Sequence, residues 1–353
     1  FTNFGEYQIK MSKILVTGGL GYIGSHTVVE LVNKGYEVVI VDDLSNSSLS
    51  VLDGINKICN KSVKFEKLDL RNITSTKDFV ENNKDIVGVI HFAASKAVGE
   101  SVENPLKYYS NNLFSLINLS EALKELNKSI NFIFSSSATV YGDPEILPIT
   151  ENESIKVAES PYGNTKQIGE EILYDLTQSN SDFKVISLRY FNPIGAHISA
   201  EIGELPIGIP QNLVPFITQT AIGKRKELVV FGDDYPTKDG SCIRDFIHVV
   251  DLANAHIKSL EYLNKITKPN FYDTFNIGTG LGSSVFDLIN SFEIVTNQKL
   301  KYKVGKRRKG DVGECYANVN KANKILNWKS KLSIEDSLLS AWNWEKKINN
   351  EKL

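Results

Sequence analysis

Thr17-Gly18-Gly19-Leu20-Gly21-Tyr22-Ile23-Gly24 follows the apolar run Ile14-Leu15-Val16 and opens into a helical pattern that runs to about Lys34. The glycines read as Gly-x-x-Gly-x-x-Gly on Gly18, Gly21 and Gly24, or as Gly-x-Gly-x-x-Gly on Gly19, Gly21 and Gly24. A strand, a glycine turn and a helix in that order let the backbone approach a pyrophosphate at the positive end of the helix. A bare glycine motif is equally a plain tight turn, so the flanking strand and helix carry the phosphate reading.

Working outward, Val38-Val39-Ile40-Val41 is a second strand and ends in Asp42-Asp43. An acidic side chain there accepts hydrogen bonds from an adenosine ribose and repels a 2′-phosphate, which selects NAD over NADP. Further apolar runs follow at Val63–Phe65, Ile86–Phe92, Phe132–Phe134 and Val185–Leu188, with helical patterns between them. Unbroken apolar strands separated by helices predict a parallel sheet covered on both faces, a doubly wound α/β architecture of the Rossmann type. After Phe191 the rhythm changes: Asn192-Pro193-Ile194-Gly195 and Pro206-Ile207-Gly208-Ile209-Pro210 are rich in turn formers. The expected organisation is an extension at residues 1–10, a dinucleotide-binding domain over 11–191 and a smaller, interleaved substrate domain over 192–353. Segments near 245–280, Phe275-Asn276-Ile277 among them, are expected to return to the first sheet.

Composition narrows the function. A net charge of −2 gives no electrostatic reason for a nucleic acid or an acidic membrane as partner. Cys59, Cys242 and Cys315 are odd in number and widely spaced, which suits a reducing cytoplasm rather than a disulfide framework. No run approaches the roughly 18 apolar residues of a membrane span. No His, Cys or carboxylate cluster has metal-ligand spacing, so no metal is expected.

The chemistry is expected in Ser160-Pro161-Tyr162-Gly163-Asn164-Thr165-Lys166. Tyr162 and Lys166 stand four apart, so both lie on one helix face. A free phenol titrates near 10, and a neighbouring ammonium favours the phenolate, giving a base for a hydroxyl proton. Ser137, at the end of the apolar run from Phe132, can hydrogen-bond the same substrate oxygen. This trio suits alcohol–ketone chemistry.

These motifs resemble the extended short-chain dehydrogenase/reductases, and within them the nucleotide-sugar 4-epimerase branch, from about Lys13 to Trp344. The likeness rests on the glycine loop, His91–Ser101, Ser135–Gly142, Arg189–His197, Arg244–Val249 and Arg308–Asp311. It implies a tightly held NAD and interconversion of UDP-galactose and UDP-glucose through a transient 4-keto sugar. By the same resemblance, Tyr22 and Ile23 pack in the phosphate loop, and Asp42, Asp43, Asn46 and Ser47 hold the adenosine ribose. Asp69 and Leu70 flank the adenine, and Phe92, Ala93, Lys96, Asn111 and Phe191 line the path to the nicotinamide. On the substrate side, Asn192 and Asn212 contact the nucleotide sugar and Phe231 lies beside the uracil. Arg244 and Arg308 meet the diphosphate, Asp311 the uridine ribose, and Cys315 the sugar pocket. Family members restricted to UDP-glucose and UDP-galactose carry tyrosine at that last position. A cysteine leaves room for an acetamido group, so UDP-GalNAc and UDP-GlcNAc are expected substrates as well.

The resemblance also implies a homodimer, paired through the Tyr162 helix and a long helix from about Pro105 to Leu126. Taken as residues alone, Lys306-Arg307-Arg308-Lys309 reads as a solvated basic run, Arg244 pairs equally well with Asp245 or Asp251, and Cys315 is an ordinary small core residue. Ala138-Thr139 stands where nucleotide-sugar dehydratases of similar fold place an acidic pair, which disfavours water elimination. A non-catalytic NAD-binding regulator would have no need of Tyr162, Lys166 and Ser137 together.

Overall fold

The computed structural model describes residues 12–179, 182–308 and 311–350. The expected extension at 1–10 lies outside them, as do Lys309 and Gly310 of the arginine motif. The chain groups into two compact units that alternate along the sequence. The first takes the chain up to Gly142, then Ser154–Arg189 and Ala253–Phe275; the second takes Asp143–Glu153, Tyr190–Leu252 and the chain from Asn276 onward. The chain passes from the first unit to the second at Arg189/Tyr190. Residues 143–153, placed in the first domain by the sequence reading, group with the second unit.

The first unit runs β1 (Lys13–Thr17), α1 (Tyr22–Asn33), β2 (Glu37–Asp42), α2 (Leu49–Cys59), β3 (Lys64–Lys67), α3 (Ile73–Glu81), β4 (Ile86–His91), α4 (Val98–Glu103), α5 (Pro105–Lys124), β5 (Ile130–Ser137), α6 (Pro161–Gln178) and β6 (Phe183–Tyr190). A later strand, Phe271–Ile277, completes a seven-stranded sheet ordered Phe271–Ile277, β6, β5, β4, β1, β2, β3. β1 pairs in parallel with β2 and β4, β2 with β3, and β4 with β5. This is the strand order of dinucleotide-binding sheets, reversing direction between β1 and β4. The central strands are apolar on both faces because helices cover both; all five residues of β1 are buried. β3, at the edge, reads Lys-Phe-Glu-Lys and is mostly exposed, and such charges discourage pairing with another chain. Leu15, Val89, Phe132 and Leu173 join strands and helices in one core. Deleting a ring such as Phe132 from it costs about 3–5 kcal/mol.

The second unit holds β7 (Asn192–Ile194), α7 (Leu213–Ala221), β8 (Leu228–Phe231), β9 (Ile243–Arg244), β10 (Phe246–His248), the start of α8 (Val249–Leu263), the end of β11 (Phe271–Ile277), β12 (Ser283–Ser284), α9 (Val285–Thr296), β13 (Tyr302–Gly305), β14 (Glu314–Cys315), α10 (Asn320–Ile325) and α11 (Ile334–Asn350). Its strands form small sheets: β10 with β7, β13 with β8, and β12-β9-β14. α9 starts at a capping box between Ser284 and Asp287, and its Phe292 meets Trp342 of α11 edge-on at 5.7 Å. Capping fixes where the helix begins, and the aromatic pair anchors the core against which the small sheets pack.

Candidate active site

In the first unit the glycine loop leaves β1 where Thr17 stands in register with His91 of β4. Thr17 Oγ1 and His91 Nδ1 are 2.8 Å apart. Gly18 has φ +66°, and a Cβ there would lie 2.8 Å from the Ala93 nitrogen. A Cβ on Gly24 would lie 2.3 Å from the Gly18 carbonyl oxygen. Only glycine lets the loop fold this tightly against both the next strand end and its own helix. The first turn of α1 carries no acidic residue, and its N-cap Gly21 makes no side-chain cap bond, so the positive helix end is left to an anion. Tyr22 opens α1, with Lys96 Nζ 5.9 Å from its ring centroid, and Ile23 follows it.

The two aspartates after β2 divide the labour. Asp42 is buried; Oδ2 accepts from the Leu20 nitrogen at 3.1 Å, and Oδ1 accepts from the Leu44 nitrogen at 3.0 Å and the Ser47 hydroxyl at 2.7 Å. It ties the glycine loop to the loop after β2. Asp43 is half-buried, and its Oδ1 accepts from the Ser45 nitrogen and hydroxyl. Asn46 is exposed beside it. Asp69 pairs with Arg71 at 2.7 Å, whose guanidinium holds the carboxyl below its usual range. The Leu70 side chain is buried in the core, so only its backbone remains for an adenine contact. After β4, the Phe92 ring lies tilted against His256 with centroids 4.8 Å apart, and Asn111 Nδ2 donates to the Ser95 hydroxyl at 3.1 Å. Asn112 Nδ2 donates to both the Ser95 carbonyl and the Thr165 hydroxyl, fastening this loop to α6.

α6 begins at Ser160, whose hydroxyl accepts from the Gly163 nitrogen, with Pro161 in the first turn. That start places Tyr162 beside Ser137, which acts on the phenol to lower it. Lys166 is buried and donates from Nζ to the Ser135 carbonyl at 2.5 Å, 5.9 Å from the Tyr162 ring centroid. Burial raises the Tyr162 phenol, with Ser137 acting the other way, and drives Lys166 down to about 7. The balance therefore differs from a simple ammonium lowering a phenol: desolvation leads at both groups, and further positive charge is needed to draw out the phenolate. Burial, with the Lys166 charge adding to it, lowers His91 to about 3, so that ring is neutral at ordinary pH.

The second unit gathers another set. Arg308 donates to Asp311 at 2.9 Å, Arg244 Nη2 lies 3.8 Å from the same carboxylate, and the Arg308 guanidinium sits 5.0 Å from the Phe231 ring centroid. Cys315 is in register with Arg244 across β14 and β9, and burial pushes its thiol up to about 11, so it is a small neutral side chain. Beneath them Asp245, fully buried, accepts from the nitrogens of Thr279, Gly280 and Ala317 and from the Thr279 hydroxyl. Arg244 therefore engages Asp311, and Asp245 serves the backbone. Asn192 stands in register with Phe246, and its backbone nitrogen donates to the Asp245 carbonyl. Asn212 donates to Glu204 at 2.6 Å, and the Phe191 nitrogen donates to the Ile277 carbonyl.

Sequence reasoning missed Asp245, Asn112, and the buried Glu170 and Arg189. Glu170 was within reach of it, since it continues the four-residue spacing of Tyr162 and Lys166. Asn112 and Asp245 carry no such pattern. No metal-holding cluster and no membrane-spanning helix occur among the described residues.

A Rossmann sheet with a glycine loop and a Tyr-x-x-x-Lys pair beside a strand-end serine defines a short-chain dehydrogenase/reductase of the extended kind. The family model described as GDP-mannose 4,6 dehydratase matches residues 15–340. A UDP-glucose 4-epimerase of Bacillus subtilis (strain 168) is 49% identical over 333 residues, 94% of this chain and 96% of that protein. The solved UDP-glucose-4-epimerase from Stenotrophomonas maltophila, with bound NAD and formylated UDP-arabinopyranose, is 42% identical with a TM-score of 0.92, covering 96% of this chain and 99% of that one. The Bifidobacterium longum UDP-glucose 4-epimerase, in complex with NAD+ and UDP, is 45% identical with a TM-score of 0.90 over the same shares. The chain belongs to the UDP-glucose 4-epimerase family.

Proposed function

We propose that this chain is an NAD-dependent 4-epimerase interconverting UDP-galactose and UDP-glucose, and that it also accepts UDP-GalNAc and UDP-GlcNAc. The observation that carries the reaction is Lys166, buried and fixed to the Ser135 carbonyl at 2.5 Å, standing 5.9 Å from the Tyr162 ring centroid one helical turn away, with Ser137 at the end of the same strand as Ser135. The glycine loop fits a dinucleotide: the space at Gly18 admits no Cβ, and the α1 terminus is free of acidic residues. Gly18, Gly21, Gly24, Tyr22 and Ile23 would hold its pyrophosphate; Asp43 and Asn46 would take the adenosine ribose, with Asp42 and Ser47 shaping that loop. When bound, NAD would supply a hydride acceptor, which once reduced gives the hydride back to the 4-keto carbon, and a positive ring in its oxidised form.

Tyr162 takes the proton from the 4-hydroxyl and returns it after the 4-keto sugar has turned its other face. Ser137 donates to or accepts from the same oxygen, relaying between substrate and phenol. The Lys166 charge favours the phenolate at the moment it forms. Arg244 and Arg308 meet the diphosphate, which competes with Asp311 for both guanidiniums. Asp311 is thereby released to accept ribose hydroxyls beside a uracil on Phe231. Cys315, small and neutral, leaves room for an acetamido group.

Purified protein incubated with UDP-galactose and UDP-N-acetylgalactosamine, and resolved by anion exchange, is expected to yield both gluco-configured products. UDP-glucose alone would withdraw the wider specificity. No product, even with NAD added, would overturn the epimerase reading.

A homodimer is supported by α5, whose Leu106, Phe114 and Ile117 expose apolar side chains within one arc of the helix. A cytoplasmic setting is supported by three free cysteines.

A further inference from the structure

α6 carries a second charged group aligned with its reacting pair. Glu170 lies one turn beyond Lys166 and two beyond Tyr162, and it is buried. Its Oε1 accepts from the Ser136 hydroxyl at 2.5 Å and from Arg189 Nε at 2.9 Å; its Oε2 accepts from Arg189 Nη2 at 2.6 Å. Arg189 Nη1 donates to the Tyr141 hydroxyl at 2.9 Å. One carboxylate thus fastens α6 to β5 and β6, and Arg189 carries the connection on to the turn after β5.

The residue it grips on β5 is the decisive one. Ser136 stands between Ser135, whose carbonyl accepts from Lys166, and Ser137, whose side chain acts on the Tyr162 phenol to lower it. We propose that Glu170, neutralised by Arg189, is a positioning residue for the reaction, clamping Ser136 so that both flanking contacts of the Tyr162–Lys166 pair keep their register. This rests on the epimerase reading. The clamp needs an ion pair because a buried guanidinium without a counter-charge is costly, and the carboxylate meets two of its nitrogens while still accepting from Ser136.

A second consequence is electrostatic. The Glu170 charge acts on Lys166 against burial, which is the larger influence, and favours the ammonium. The other groups around this pair are committed or neutral. His91 of β4 is held neutral, Arg189 of β6 and Tyr141 are in the clamp, and the Tyr272 hydroxyl of β11 is 3.1 Å from that of Ser187. Tyr108 of α5 donates to Glu100 of α4.

Two variants separate the parts. Ser136→Ala removes one hydroxyl and leaves both charges; kcat for UDP-galactose is expected to fall about tenfold with KM unchanged, as for a slight misplacement of reacting groups. Unchanged kcat overturns the clamp. Glu170→Gln removes the charge; the Lys166 titration, followed by NMR of nitrogen-labelled lysine, is expected to move to lower pH by about one unit, with the alkaline limb of kcat following it. An unmoved titration overturns the electrostatic part. That titration is read without turnover, so an inactive wild-type protein would count against the epimerase reading alone. Should Glu170→Gln not fold, Glu170→Asp keeps the charge at shorter reach: lower kcat with an unmoved titration supports the clamp, and full kcat overturns it.

Discussion

Lys166→Met is expected to give a protein that is much less active and yet more stable, by an amount that depends on pH. Methionine keeps the length of the side chain and removes the amine. In the folded chain that amine is buried, at 4% exposure, and sits at about 7 against an ordinary value of 10.5. Between those two values the unfolded chain binds a proton that the folded chain does not. Wild-type stability therefore rises with pH across this window. Below about pH 7 both states carry the charge and the full penalty of burying it is felt.

A gap of this size is worth on the order of 5 kcal/mol. The hydrogen bond lost to the Ser135 carbonyl takes back about 1.5–3 kcal/mol. The variant's advantage over wild type should then be about 2–4 kcal/mol near pH 6 and should vanish or reverse near pH 10. Turnover should fall by about 10²–10⁴-fold below about pH 7, and the deficit should narrow at higher pH as the wild-type ammonium titrates away. The assay is urea unfolding followed by far-ultraviolet circular dichroism, because Trp328, Trp342 and Trp344 all lie in the second unit and would not report on α6. A stability difference that stays flat between about pH 6 and pH 10 would refute the reasoning, because it would mean that the folded amine titrates as a solvated one does.

Gly24→Ala must open the 2.3 Å approach to the Gly18 carbonyl by about 1 Å, and an error of that size costs about 100-fold at a binding or reacting centre; the NAD released on denaturing the purified variant measures it. Cys315→Tyr should abolish turnover of the N-acetylated sugars and spare UDP-galactose, as paired rates on the two substrates will tell. If the proposed homodimer pairs through α5, Leu106→Glu with Phe114→Glu should turn a wild-type dimer into a monomer in light scattering, since two carboxylates would be buried against the partner face; an unchanged mass would count against pairing through α5.

The first sheet was legible because its signals are local. An apolar strand, a glycine turn and a helix must be contiguous to work, and so must two side chains one helical turn apart; Gly18, Gly24, Tyr162 and Lys166 were therefore all readable. Ser137 was readable because it ends an apolar strand. The ion partners were not. Arg244 had Asp245 as its neighbour, yet its carboxylate is Asp311, and Asp245 is spent on three backbone nitrogens. Asp42 and Asp43 look alike in sequence, but one is consumed in holding two loops together while the other stays half-exposed. Leu70 went to the core.

The sequence by itself determined which residue types share a strand end, a glycine turn or one helix face, because helical and strand periodicities are properties of short stretches of chain. Only the tertiary structure decided their electrostatic state. Burial is set by what other segments bring alongside, and it is burial that brings Lys166 to about 7 and raises the Tyr162 phenol. The Ser136–Glu170–Arg189 clamp depends likewise on β5, α6 and β6 meeting, and no spacing along the chain encodes that meeting.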